Sequence, residues 1–185
     1  MTPARAVRLA LLAASLLLAL PIAAQGDGYA EAARLFRQGQ LAPAMEKVDA
    51  FLKANPADAR GRFLKGLIYT EQNRPGDAIK VFQSLTEDYP ELPEPYNNLA
   101  VLHASQGRYE QARVALETAI RTHPNYATAH ENLGDIYAKM ASQAYDKALQ
   151  LDKSSASART KLKLIENLLK EPGAPGKPVA RSPAQ

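Results

Sequence analysis

The chain has 185 residues, 46% of them hydrophobic and 23% charged, with a formal net charge of +4 and no cysteine. The missing cysteine excludes disulfides, thiolate metal sites, a thiol nucleophile and a lipid-modified N-terminal cysteine. The positive excess includes Arg5, Arg8, Lys177 and Arg181 near the two ends, which leaves the middle close to neutral, and no Lys/Arg run with interleaved aromatics points to nucleic acid.

Residues 1–24 read as an export signal. Arg5 and Arg8 form a positive start, Leu9 to Leu20 is apolar apart from Ser15, and Ile22, Ala23 and Ala24 place small residues before Gln25. Cleavage is expected after Ala24. An apolar stretch ended by Pro21 falls short of the ~20 residues that span a bilayer, so no stable membrane insertion is expected after cleavage. A retained anchor is the alternative.

From there the chain repeats. Pro56, Pro90 and Pro124 stand 34 residues apart. The same interval aligns a small residue at Ala32, Gly66, Ala100 and Gly134, and a bulkier one at Leu35, Tyr69, His103 and Tyr137. It also aligns Ala44, Ala78 and Ala112, and then Val48, Phe82 and Leu116. Each interval suits two antiparallel helices that cannot bury their apolar faces alone. The small column lets the paired backbones approach, the bulky column fills the space between them, and the proline ends the second helix. Gly39, Asn73 and Gly107 mark the turn inside each pair, with Pro43 and Pro75 opening the second helix.

These columns resemble the tetratricopeptide repeat (TPR) family, most clearly in PYNNLAVLHASQGRYEQARVALETAIRTHP, residues 95–124. The resemblance covers about residues 27–152 and implies an all-α solenoid within residues 25–170. Its repeats fall at about 25–58, 59–92 and 93–126, with a degenerate fourth over 127–153. It implies an interaction surface rather than a chemistry. A cysteine-free exported member of this kind is expected in the periplasm of a Gram-negative bacterium.

The fourth unit departs from the pattern. His103 and Ala119 are sixteen residues apart, whereas Tyr137 and Ala148 are eleven apart, so five residues are missing where the turn belongs. No Gly or Pro lies between Gly134 and Asp152, while Leu133, Tyr137, Met140, Ala144, Ala148 and Leu151 keep helical spacing. One long helix is expected over roughly 126–152. A second, over 154–170, opens at Ser154 or Ser155 and carries Ala158, Leu162, Ile165, Leu168 and Leu169 on one side. It is expected to fold back as a cap over the long helix's apolar stripe, with partner exchange or dimerisation as the alternative. Gly134 is expected to pack closely against a neighbouring helix, so that Gly134→Leu overpacks it. Residues 171–185, with four prolines and little bulk, are expected to be disordered, with a polyproline ligand as the alternative.

Nothing in the sequence suggests catalysis, a cofactor or a metal site. His103 sits in the bulky column as a packing residue, and HENLGD at His130 lacks the second histidine of a metal-binding helix. His123 and His130, seven residues apart across the turn at Pro124, are read as surface residues, with a shared metal as the minor alternative.

The TPR resemblance places a peptide groove on the concave face made by the first helices. On this chain its lining includes Tyr29 and Phe36, Phe63 and Leu67, Asn97 and Val101, and Glu131 and Asp135. Asn98 and Asn132 match an asparagine that the family uses to bond a peptide backbone, and the lysines of a carboxylate clamp are missing. In the second unit Arg62 and Lys65 stand where the family packs apolar groups. Phe63 therefore faces the groove, or the core if that helix is rotated. The reading is a non-enzymatic adaptor or assembly factor in the bacterial envelope. Its partner would be a protein or peptide with an apolar segment beside Lys or Arg. The alternative is a self-association module that forms a homodimer.

Overall fold

A computed structural model describes residues 24–170, and every regular element in them is helical. In chain order these are α1 (Ala24–Arg37), α2 (Leu41–Ala54), α3 (Ala59–Glu71), α4 (Pro75–Asp88), α5 (Pro93–Ser105), α6 (Tyr109–Thr122), α7 (Ala127–Leu151) and α8 (Ala156–Leu168). The expected export signal, apart from Ala24, and the proline-rich tail lie outside the described residues.

The three hairpins end their helices by the same chemistry. Gly39, Asn73 and Gly107 take left-handed backbone angles, with φ of 73°, 55° and 73°. The N–H of the next residue reaches back over each turn: Gln40 to the Leu35 carbonyl, Arg74 to Tyr69 and Arg108 to His103, each near 3 Å. At the other end, Asn55, Tyr89 and His123 leave the helix just before Pro56, Pro90 and Pro124, because a following proline pushes its predecessor out of the helical region.

Alternating first and second helices stack into an array with a continuous core. Val48, Phe82, Leu85 and Leu116 are fully buried along the second helices. Val48, Phe82 and Leu116 are each met by a small residue on the facing helix. Ala32 and Ala100 are buried, and a Cβ on Gly66 would stand 2.6 Å from the Phe82 ring, so only glycine permits that approach. Phe82 in turn tilts against Phe63, with ring centres 5.4 Å apart. Burying each such side chain stabilises the fold by about 1.5–3 kcal/mol.

The fourth unit is one unbroken helix. The residue that would take the left-handed turn position, 34 after Gly107, is Ala141 in the middle of α7. Without the hairpin, the fourth members of two columns lose their roles. Gly134 is exposed, and a Cβ there would meet nothing within 4 Å. Tyr137 is 49% exposed instead of filling a gap between paired helices. The expectation that Gly134 packs closely is therefore wrong, because the helix it would pack against runs on in line with it.

Helix α8 opens at Ser155, whose side chain accepts from the Ala158 N–H, and folds back on α7. It covers a strip beside the expected one. Ala158 is buried, Lys161 lies over the Tyr145 ring, and Glu166 and Leu169 line one cleft with Ser142 and Gln143. Tyr137, Ala144 and Leu151 on α7 stay exposed, as do Leu164 and Leu168 on α8.

Candidate functional site

The first helices α1, α3, α5 and α7 form the concave layer, with α1 touching α3 and α5 touching α7. Packing between units decides which expected groove residues remain reachable. In the two central helices Phe63, Leu67, Asn97, Asn98 and Val101 are all buried. Phe63 and Leu67 belong to the core around Phe82 and Leu85.

The side chains of Arg62 and Lys65 explain this. Arg62 donates to Ser84 Oγ at 2.9 Å, pairs with Asp88 at 2.7 Å and lies over the Tyr89 ring. Lys65 pairs with Asp49 at 2.7 Å across to α2. Both are held on the flanks of α3, which turns Phe63 inward. Of the two placements open for Phe63, the core is the one observed.

The asparagines are also turned in. Asn98 Nδ2 donates to the Glu94 carbonyl one turn back at 2.9 Å, so its amide does not present itself to a peptide. Asn132 Nδ2 donates to Asn97 Oδ1 at 2.7 Å, tying α7 to α5. Asn97 Nδ2 and Asn98 Oδ1 are buried without a partner, which costs about 1–3 kcal/mol each.

Of the expected groove residues named above, those that remain reachable lie at the two ends of the concave face. Tyr29 and Phe36 are half-buried on α1, with the Arg60 guanidinium 5.2 Å from the centre of the Tyr29 ring. At the other end Glu131 is exposed, and Asn132 and Asp135 are half-buried on α7. Burial, together with the Glu131 charge one turn away, holds the Asp135 carboxyl above its usual range, and Lys139 offsets this only in part. No salt bridge joins Glu131 or Asp135 to a basic side chain among the described residues. The acidic end thus carries like charges that a bound cation would relieve.

The histidines do other work. His103 lies half-buried with its Nδ1 unpartnered, and burial with the nearby Arg108 charge lowers its pKa. The His130 ring shares a 2.9 Å hydrogen bond with the Pro124 carbonyl, bracing the turn before α7. Among the described residues no group of three or more His, Asp or Glu converges as metal ligands. None of the described helices is long and apolar enough to cross a membrane.

Comparison with known proteins bears on the array as a whole. At the level of sequence, Tetratricopeptide repeat protein 16 of Macaca fascicularis is 26% identical over 170 residues, covering 83% of this chain and 20% of that protein. The chain spans about a fifth of the length of the first curated relatives it matches. Among solved structures, a thermophilic TPR protein of Thermus thermophilus superposes with a TM-score of 0.58 at 21% identity, covering 80% of this chain and 84% of that one. The Yersinia enterocolitica type III secretion chaperone SycD, solved with a peptide of the translocator YopD, gives a TM-score of 0.52 at 16% identity, covering 79% of this chain and 94% of that one. A family model described as Tetratricopeptide repeat matches residues 29–93, and one described as TPR repeat matches residues 102–140. The two matches together span more than half of the sequence, and with the repeated hairpins they establish that the chain belongs to the tetratricopeptide repeat family.

Proposed function

We propose that the chain is a non-enzymatic adaptor or assembly factor of the bacterial envelope, which holds a partner peptide along its concave face. The observation that carries this reading is the split chemistry of that face. Tyr29 and Phe36 offer apolar and aromatic surface at one end, while Glu131 and Asp135 offer unpaired negative charge at the other, with Asp135 held above its usual carboxylate range. An extended segment with apolar residues at one end and Lys or Arg at the other matches both. The buried middle, from Phe63 to Val101, acts as the floor. The SycD structure, a fold neighbour with a peptide bound, supports the class of ligand. The apolar stretch behind Arg5 and Arg8 supports the compartment.

A synthetic peptide with an aliphatic segment followed by two lysines, titrated into the chain by calorimetry, tests the groove. Affinity is expected at about the micromolar level, roughly −8 kcal/mol. Glu131→Lys with Asp135→Lys should weaken binding and lessen its salt dependence. The affinity should also fall as pH drops through the raised Asp135 value, earlier than an ordinary aspartate would allow, because protonation removes the charge that attracts lysine. Binding indifferent to both the charge reversal and pH would refute the acidic end as a recognition element. Export has its own check: intact mass from a periplasmic extract should show a chain beginning at Gln25, and an unprocessed chain in the membrane fraction would contradict it.

A further inference from the structure

In the first three units the second helix is covered from both sides. Val48 packs between Ala32 and Leu35 of its own unit and Leu64 and Ile68 of the next. Phe82 lies between Phe63 and Leu67 on one side and Leu99 and Leu102 on the other. Leu116 lies between Ala100 and the pair Ala129 and Ile136. Counting back from Ala148, which stands where Ala119 stands in the third unit, the fourth residue of this column is Tyr145. Helix α8 covers Tyr145 from the next-unit side, with Lys161 Nζ 5.6 Å from the ring centre. Its own-unit side has no cover, because the helix that should supply it, residues 127–140, lies in line with it in α7.

The complementary half-contact is bare as well. Gly134 has open space where Gly66 has the Phe82 ring, and Tyr137 is 49% exposed, its hydroxyl donating to Glu117 of α6 at 3.4 Å. On the same side of α6, one turn from Glu117, Val114 is 51% exposed. One chain thus carries both halves of a helix-to-helix contact and cannot close it on itself.

We propose that a second copy of this chain closes it, with the two α7 helices pairing antiparallel about a two-fold axis near Lys139 and Met140. Gly134, Tyr137, Ala141 and Tyr145 follow one another at spacings of three and four, so they form one stripe along the helix. Antiparallel pairing in the register that joins Gly66 to Phe82 in the second unit sets Gly134 opposite the partner's Tyr145, and Tyr137 opposite the partner's Ala141. Small meets large at each step, and the symmetry repeats every contact twice. The charges do not oppose it: residues 141–151, the half of α7 that crosses the partner's first half, carry Asp146 and Lys147 and are neutral overall. In effect, the second half of the fourth unit is exchanged between copies, as a hairpin without its turn invites. This surface is separate from the peptide groove and does not depend on it.

The absence of cysteine makes the test direct. In the full chain, Gly134→Cys combined with Tyr145→Cys places two thiols about 16 Å apart on one helix, too far to bridge within a copy but opposed between copies. Mild oxidation at low micromolar concentration should convert the double variant to a covalent dimer, and leave each single variant monomeric. A double variant that stays monomeric, or single variants that cross-link as well, would overturn the pairing. Gly134→Leu supplies the second arm. Its side chain enters open space in the lone copy, so helicity and melting in dilute solution should equal or exceed those of the parent, while light scattering should show the dimer lost. A parent chain that is monomeric at tens of micromolar, or a Gly134→Leu chain as dimeric as the parent, would equally overturn it.

Discussion

The second and fourth units begin alike and end differently. Both carry a glycine in the small column and a tyrosine three residues later, at Gly66 and Tyr69 and at Gly134 and Tyr137. In the second unit Asn73 turns the chain through a left-handed backbone and returns α4 onto α3, so that Gly66 lies under the Phe82 ring. In the fourth unit no such turn exists, and the same glycine faces open space. A repeat column is therefore a statement about two helices together. Its meaning for one helix lapses when the partner is missing.

The largest expected effect lies at the hairpin contact itself. Phe82→Ala should destabilise by about 3–5 kcal/mol in a denaturant melt, since the side chain is fully buried between two units. Tyr145→Ala, the same column in the fourth unit, should cost clearly less in dilute solution, because its ring is covered on one side only. Equal losses would erase the distinction between the units.

Next comes the pair of glycines. Gly66→Ala should cost about 1–3 kcal/mol, as its new Cβ meets the Phe82 ring and the collision exceeds any gain in helix propensity. In dilute solution, where the copy stands alone, Gly134→Ala should instead stabilise by up to about 1 kcal/mol, because nothing within the chain opposes that gain. Thermal melts that rank the two the other way would show the fourth unit to be a closed hairpin.

A third change would rebuild the missing turn. Inserting the third unit's Gln106–Glu110 segment between Lys139 and Met140 restores the five residues and a glycine at the left-handed position. The new second helix should then fold back over Gly134 and Tyr137. Tyrosine fluorescence quenching by iodide should fall, and light scattering should show a monomer. Unchanged quenching and size would mean that loop length is not what opens the fourth unit.

The smallest effect is in pH. The folded state disfavours protonated His103, whose pKa is lowered by burial and by Arg108. The unfolded chain then binds the proton more readily, so the stability from His103 is present above its unfolded value near 6.5 and is lost as pH falls below it. His103→Phe should flatten this slope between neutral and mildly acid pH, and an unchanged slope would assign it to other groups.

The array was legible in the sequence because its determinants are local. Pro56, Pro90 and Pro124, the turn residues at Gly39, Asn73 and Gly107, and the missing five residues each act within a few positions of where they stand. The groove was less legible, because burial of Phe63, Leu67 and Asn97 depends on partners far along the chain, such as Phe82 and Leu99 for Phe63 and Asn132 for Asn97. One sign of this was present: Arg62 and Lys65 at positions that usually pack apolar groups indicated the rotation that brings Phe63 into the core. Gly134 is misleading for a different reason. Its column implies close packing only where the hairpin is intact, and the same sequence lacks the turn that makes it.

Backbone amide hydrogen exchange from Lys139 to Gln143, set beside Gly107, tests the open fourth unit most directly. In a continuous α7 every N–H in that stretch bonds to the carbonyl four residues back, so protection there should match that of the flanking turns of the helix. Exchange at Met140 to Gln143 as fast as at Gly107 would mean that a hairpin survives in the fourth unit, and would contradict both the single helix and the pairing built on it.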